Sequence, residues 1–308
     1  MKKLIMFPCV TALAASFMLI VATTSSATAS SPFSDDIAQL IDQVAPHQGD
    51  VVQVKEIDGQ TWEANNGSEV NIPSDPTDPL QLTGGDETKL NIILPQNLGL
   101  QSGQVASDGT VVYKSSDSQV DAAIQAMHNG SVRVQTVINT PSAAHEFSYA
   151  IGEEFQLVFS EDGSLWAVGL NAAGDFTAFS VGDAWARDAN GREVETRYEI
   201  RGDALVQVVI PTRDTVYPVV ADPQWNWYAA AWGAKFNRAE TKGLAAAGGA
   251  TGICGALAKF SPPLAGACGA AGAYFFTQAN IAQSAKKCLF ISIVPVPLAM
   301  VYKDGDCR

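Results

Sequence analysis

Between Lys89 and Pro223, apolar and polar positions alternate in short runs broken by turn residues. Leu90–Leu94, Thr110–Tyr113, Ser131–Ile138, His145–Ile151, Glu154–Phe159, Leu165–Leu170, Phe176–Val181, Thr196–Ile200, Leu205–Ile210 and Val216–Val220 read as strands. A period of two puts one set of their side chains on a buried face. Glu161-Asp162-Gly163, Ala173-Gly174-Asp175 and Asn190-Gly191 punctuate the runs, and such spacing predicts an all-β sandwich. Asp117–His128 departs from the alternation and predicts a short helix. Upstream, Ile37, Leu40, Ile41 and Val44 recur at helical spacing within Ser34–Val44, with Ser34 or Asp35 available as a cap. Residues 45–88 are rich in Pro, Gly, Asp and Asn. They offer short strands at Val51–Val54 and Glu69–Ile72 and a turn or linker at Asp75-Pro-Thr-Asp-Pro79.

Beyond Pro223 the pattern changes. Trp225, Trp227, Tyr228, Trp232 and Phe236 crowd into a dozen residues. They are candidate membrane or interface contacts, since large aromatics populate bilayer interfaces and also wedge domains together. Two Ala/Gly-rich stretches, 237–258 and 264–286, flank Ser261-Pro262-Pro263 and predict an αα-hairpin in which proline ends one helix and restarts the next. Asn237 with Glu240 three residues on reads as a capping box. Gly248, Gly252 and Gly255 on one helix, and Gly266, Gly269 and Gly272 on the other, make small faces suited to close backbone contact. Leu289–Val294 and Leu298–Tyr302, arranged about Pro295-Val296-Pro297, predict a terminal β-hairpin.

The 308 residues are 47% hydrophobic and 17% charged, enough apolar material for a core. Lys2 and Lys3, the apolar run Leu4–Val21 and the small residues of Ala27-Thr28-Ala29 have the order of a secretory signal peptide. This predicts a secreted protein, extracellular or envelope-associated, with Cys9 lost in the leader. The other four cysteines, Cys254, Cys268, Cys288 and Cys307, all lie in the last quarter of the chain. An even set in an exported chain reads as disulfides. Cys254 and Cys268 are equidistant from Ser261, and Cys288 and Cys307 are nearly symmetric about the later proline pair. Of the three pairings, geometry therefore prefers Cys254–Cys268 with Cys288–Cys307.

Charge divides the chain along the same line. Residues 224–308 carry eight Lys/Arg against Glu240, Asp304 and Asp306, whereas the chain as a whole has a net charge of -13. A strongly acidic body thus carries a basic tail. The acidity keeps an exported protein soluble and argues against a nucleic-acid partner.

Asp183-Ala-Trp-Ala-Arg-Asp-Ala-Asn-Gly191, Thr196-Arg-Tyr-Glu-Ile-Arg-Gly202, Leu205-Val-Gln-Val-Val209 and Tyr217-Pro-Val-Val-Ala-Asp-Pro223 follow one another in order. This series resembles a β-rich module of secreted actinobacterial proteins, over roughly residues 105–223. There the module precedes a variable C-terminal domain. The resemblance implies a secreted, multi-part protein and no reaction.

No catalytic motif stands out. His47, His128 and His145 are the only histidines, and none has zinc-ligand spacing. No GxSxG, Walker loop or dinucleotide fingerprint occurs. Glu153-Glu154 would point to opposite faces of a strand. Asp183, Asp188 and Asn190 offer calcium ligands without the acidic last position of an EF-hand, and the plain reading of them is an Asn-Gly hairpin turn. Arg201-Gly202-Asp203 fits a turn between strands. Asn66-Gly-Ser68 and Asn129-Gly-Ser131 match glycosylation acceptors.

The sequence therefore predicts an α+β chain with no catalytic residues, metal or cofactor. A mainly-β, sandwich-like body is followed by a small Gly/Ala-rich, disulfide-bonded helical hairpin with a terminal β-hairpin. Its parts are a signal peptide (1–29), an N-terminal helix with an irregular, short-strand region (30–88), an acidic β-sandwich module (89–223) and a basic disulfide-bonded C-terminal domain (224–308). The expected function is non-enzymatic interaction, extracellular or at the cell envelope, with an unknown ligand. The alternatives are a bacteriocin-like, membrane-active antagonist whose toxic part is residues 224–308, and a cell-wall polymer hydrolase.

Overall fold

The computed structural model describes residues 31–47, 49–59, 61–65, 69–173, 175–230, 232–259, 262–294, 296–303 and 307–308. The leader and the Asn66–Ser68 acceptor lie outside them. The body is two antiparallel sheets. One has eight strands in the order Lys55–Glu56, Thr61–Asn65, Glu69–Pro73, Leu80–Thr83, Lys89–Ile93, Glu146–Ile151, Ala204–Ile210, Glu195–Arg201. The other runs Phe155–Phe159, Leu165–Leu170, Phe176–Val181, Gln224–Ala230, Ser131–Ile138, Val120–Ala126, Val111–Tyr113, Gln104–Val105. Trp185–Arg187 and Val219–Asp222 join it beside Ser131–Ile138. Ile72, Leu90, Phe147 and Leu205 of the first sheet share one core with Tyr113, Ile124, Val134, Phe179 and Trp225 of the second. Each large apolar side chain buried there contributes roughly 1.5–3 kcal/mol.

The helix Pro32–Val44 lays Ile37, Ile41 and Val44 on the outer face of the second sheet, against Val112, Ala123, Val137 and Val220. Ser31 stands at its N-cap without a side-chain bond, and proline opens the first turn. The expected caps do other things: Ser34 is buried, and Asp35 accepts the Ser107 amide at 2.7 Å. Because this helix and its flanking loop cover the sheet, Val120–Ala126 and Ser131–Ile138 are buried along their whole length.

This corrects the helix expected over Asp117–His128, which is a strand whose polar residues are buried. Asp121 accepts from Ser115 N and Asn139 Nδ2, and Gln125 links Gln135 to Thr110. Two boundaries also move. The region 30–88 is no separate piece, because its strands are the outer half of the eight-stranded sheet. Gln224–Ala230 pairs with Phe176–Val181 and Ser131–Ile138, so the body's sheet extends past Pro223 to Ala230. Val51–Val54 forms only a bridge, from Val51 to Met127.

The C-terminal unit holds a three-stranded sheet, Trp232–Phe236, Cys288–Val294 and Leu298–Tyr302, and three helices, Arg238–Ala245, Ala250–Leu257 and Pro262–Ser284. The expected first helix is broken, because Gly248 and Gly249 take φ of 78° and 121° between its two parts. Asn237 and Glu240 form the capping box, and Pro262 opens the long helix. Cys254–Cys268 ties Ala250–Leu257 to Pro262–Ser284, and Cys288–Cys307 closes the terminal hairpin. Of the glycine faces, Gly272 makes the close helix contact: a Cβ there would lie 2.8 Å from Ala250 O and 3.0 Å from Cys254 Sγ. Gly255, Gly266 and Gly269 face open space.

Candidate functional site

The small sheet is the middle layer of three. Phe236, Leu289, Ile291 and Ala299 face the helices, in a core with Leu244, Leu257, Leu264 and Phe275. Phe290, Leu298, Met300 and Tyr302 face the body, where they pack on Trp166, Val168, Phe176 and Ala178. Phe176 stacks on Phe290 with centroids 3.4 Å apart and meets Tyr302 edge-on at 6.1 Å. The Lys235 ammonium lies 5.3 Å from the Phe176 ring, a cation–π contact.

Of the aromatic segment, the described side chains are packed within the protein. Trp225 is fully buried in the body's core and Phe236 in that of the C-terminal unit. Trp227 lies against Gly84 and Gly85, where a Cβ would overlap its ring. The side chains of Tyr228 and Trp232 lie outside the described ones. Among the described residues, no helix is long and apolar enough to cross a membrane.

Where the body, the helix Pro262–Ser284 and the strand Leu298–Tyr302 meet, they leave a groove of about 480 Å³. Its walls include Leu157, Val158, Phe159 and Ile200 on the body and Tyr274, Gln278, Ile281, Lys287 and Val301 on the C-terminal unit. Phe159 is 40% exposed and Ile281 47%, two of the four exposed large hydrophobic residues among those described. Lys287 is the one charged lining residue.

Two strand edges border this groove. Phe155–Phe159 is the last strand of its sheet. Ser160 N donates to Ser164 O at 2.8 Å, which makes that pair hydrogen-bonded. Antiparallel alternation then turns the N–H and C=O of Leu157 and Phe159 outward. Leu298–Tyr302 is likewise an outer strand. Ala299 gives its N–H to the Tyr274 hydroxyl at 3.1 Å and accepts from it at 3.3 Å, so Ala299 points outward and so does Val301 two residues on. Tyr274 plugs the edge at Ala299. Among the described residues, no backbone bond occupies the outward groups of Leu157, Phe159 or Val301.

Other candidates are structural. Asp188 Oδ1 accepts the amides of Asn190 (2.9 Å) and Arg192 (3.0 Å), and Oδ2 that of Val216 (3.3 Å). Burial opposes its charge, but these amides outweigh burial and lower its pKa. The calcium reading thus gives way to a braced turn with Gly191 at φ 73°. Arg201 of the Arg-Gly-Asp tripeptide is held by Glu146 and Glu199 at 2.6 Å each, and Gly202 turns at φ 68°. Glu153 and Glu154 sit in a turn. Among the described residues, no group of three His, Cys, Asp or Glu is placed to hold a metal.

One buried cluster surrounds Asp222. Burial pushes the Asp222 carboxyl well above the usual range, with the Trp185 indole and Arg133 only partly opposing it. Neither carboxyl oxygen, nor Trp185 Nε1, nor the Tyr149 hydroxyl has a well-formed hydrogen bond. The Tyr198 hydroxyl donates to Asp222 O at 2.7 Å. Asp222 is 1% exposed, which closes the cluster to an outside ligand.

No family model matches the chain, and neither a curated protein nor a solved structure is significantly similar to it. The groove's residues were not legible as a site in sequence. The available signals were an uncharged strand, Phe155-Gln-Leu-Val-Phe159, and the helical stripe Tyr274, Gln278, Ile281 and Ala285, which mixes polar with apolar residues.

Proposed function

We propose that this is an exported, non-enzymatic protein that works by interaction, extracellularly or at the cell envelope, and that it holds its ligand in the groove between body and C-terminal unit. One observation carries the reading: the C-terminal sheet has both faces covered, by its own helices and by Trp166 and Phe176, while the groove beside it stays open, with Phe159 and Ile281 exposed in walls that mix apolar and polar residues. Open apolar concavities of a few hundred Å³ with few polar groups are where proteins hold ligands. Two disulfides fit an oxidising compartment, in keeping with the signal-like leader and the resemblance to secreted β-rich modules.

The membrane-active alternative needs the apolar faces of the C-terminal unit to be free. The whole oxidised chain is therefore added to dye-loaded vesicles of anionic lipid and, in parallel, sedimented with cell envelopes of the producing organism. Retention on envelopes without dye release is expected, with retention lost in Ile281→Glu. Dye release by the intact chain, or retention indifferent to Ile281→Glu, overturns the proposal.

A further inference from the structure

Resting on that reading, we infer that the groove's ligand is an extended polypeptide segment that adds as a strand to the open edge of Phe155–Phe159 and ends in a carboxylate opposite Lys287. An edge strand presents a row of unsatisfied donors and acceptors, and stable proteins blunt such edges with charge, proline, bulges or a cover. Phe155-Gln-Leu-Val-Phe159 has no charge and no proline. The two residues with outward backbone groups, Leu157 and Phe159, are both among those that line the groove. On the opposite wall Tyr274 blunts Leu298–Tyr302 at Ala299 but leaves Val301 open. The edge Phe155–Phe159 thus offers backbone pairing at Leu157 and Phe159, which an extended chain can use and a globular or purely lipidic ligand cannot.

Specificity follows from the walls. A strand's side chains alternate in direction. One set of the ligand's side chains meets Phe159, Ile281 and Val301, and calls for apolar residues at every second position. The Asp162 carboxylate is taken up by the lining residue Ser160, and Lys287, with exposed Lys286 beside it, is the single lining charge. An acidic side chain or a C-terminal carboxylate complements it.

The probes are fluorescent ten-residue peptides from a synthetic set that covers apolar/polar alternations, each with an amidated C-terminus and made with a terminal Glu and with a terminal Lys. Binding to the full oxidised chain is read by anisotropy. Members with alternating apolar residues and a terminal Glu are expected to bind. N-methylation of alternate backbone nitrogens, which removes strand pairing and leaves the side chains, is expected to weaken them at least tenfold. Phe159→Pro deletes one outward N–H without touching a ladder bond and is expected to weaken binding equally. Lys287→Glu should invert the preference for the terminal residue. Unchanged thermal unfolding of the variants checks that they fold.

Three results overturn the inference: no binding by any member of the set, binding indifferent to N-methylation, or a concentration-dependent dimer that Phe159→Pro abolishes, which would make the occupant a second copy. If these occur while Ile281→Glu still abolishes envelope retention, the strand ligand fails and the broader interaction reading stands.

Discussion

Replacing Asp222 with Asn should make the protein more stable at alkaline pH and leave it nearly unchanged in mild acid. Asp222 is 1% exposed, and neither carboxyl oxygen has a well-formed partner. Desolvation raises its pKa well above the usual carboxylate range, and attraction to Trp185 and Arg133 offsets this only in part. The unfolded chain releases the same proton near the reference value of about 3.9. A raised folded pKa means the folded state binds the proton more tightly, so the contribution is full below the unfolded pKa. It falls by about 1.4 kcal/mol per pH unit until the folded pKa is passed. Asn carries no ionisation and escapes that loss. Asp222→Asn should gain about 1.4 kcal/mol at pH 8 for each unit by which burial raises the folded pKa and change little at pH 4. Urea unfolding of both proteins across this range reads the difference directly. The exposed carboxylates of Asp75, Glu146, Asp162 and Glu199, all with lowered pKa, are common to both and cancel. A variant less stable than the parent at pH 8 by more than about 1 kcal/mol would refute the argument. It would mean that Asp222 is ionised and effectively paired with Arg133.

Further expectations follow from other named contacts. Asp188→Ala strips three backbone amides of their acceptor and should cost about 2–4 kcal/mol in urea unfolding, with amide exchange quickening at Asn190, Arg192 and Val216. Phe176→Ala removes the ring stacked on Phe290 and should cost about 3–5 kcal/mol by urea unfolding, with limited proteolysis appearing in the C-terminal unit before the body. Asn237→Ala abolishes the capping box and should cost about 1 kcal/mol, read as a lower Tm and loosened exchange in Arg238–Ala245. Paired Cys254→Ser and Cys268→Ser opens a bridge of sequence separation 14. It should cost about 3 kcal/mol by urea unfolding under oxidising conditions.

What the sequence disclosed followed from whether each element faced one environment or two. Ser131–Ile138, Leu165–Leu170 and Phe176–Val181 were legible to the residue because strong apolar runs and turn residues bounded them. The disulfides were legible because the spacing about a turn is itself a geometric statement. Val120–Ala126 was misread because both of its faces are buried, so Asp121 and Gln125 interrupt a strand without marking a solvent face. Gln224–Ala230 was misassigned for the opposite reason. Its aromatics look like a surface feature, yet Trp225 fills the body's core through pairing with strands some fifty to ninety residues away in sequence. Composition changes at Pro223, and the sheet does not.

The groove lay beyond sequence for a deeper reason. That a residue belongs to a strand can be read from its neighbours, but that its backbone is unsatisfied depends on which strand is last in the sheet. Leu157 and Phe159 have outward N–H and C=O groups only because no strand follows Phe155–Phe159 at that end. Val301 is open only because the Tyr274 hydroxyl reaches Ala299 and not one residue pair further. The Phe176–Phe290 stack docks the C-terminal unit on the body, which brings Phe159 and Val301 to the walls of one groove. The proposed binding groove thus lies where two units that each already have a core dock. Tightening that docking should sharpen binding in the groove, and loosening it should abolish binding before either unit unfolds. Phe176→Ala separates the two effects. Loss of peptide anisotropy in urea well below the unfolding midpoint of the body would place the ligand between the units, whereas loss coincident with body unfolding would place it on the body alone.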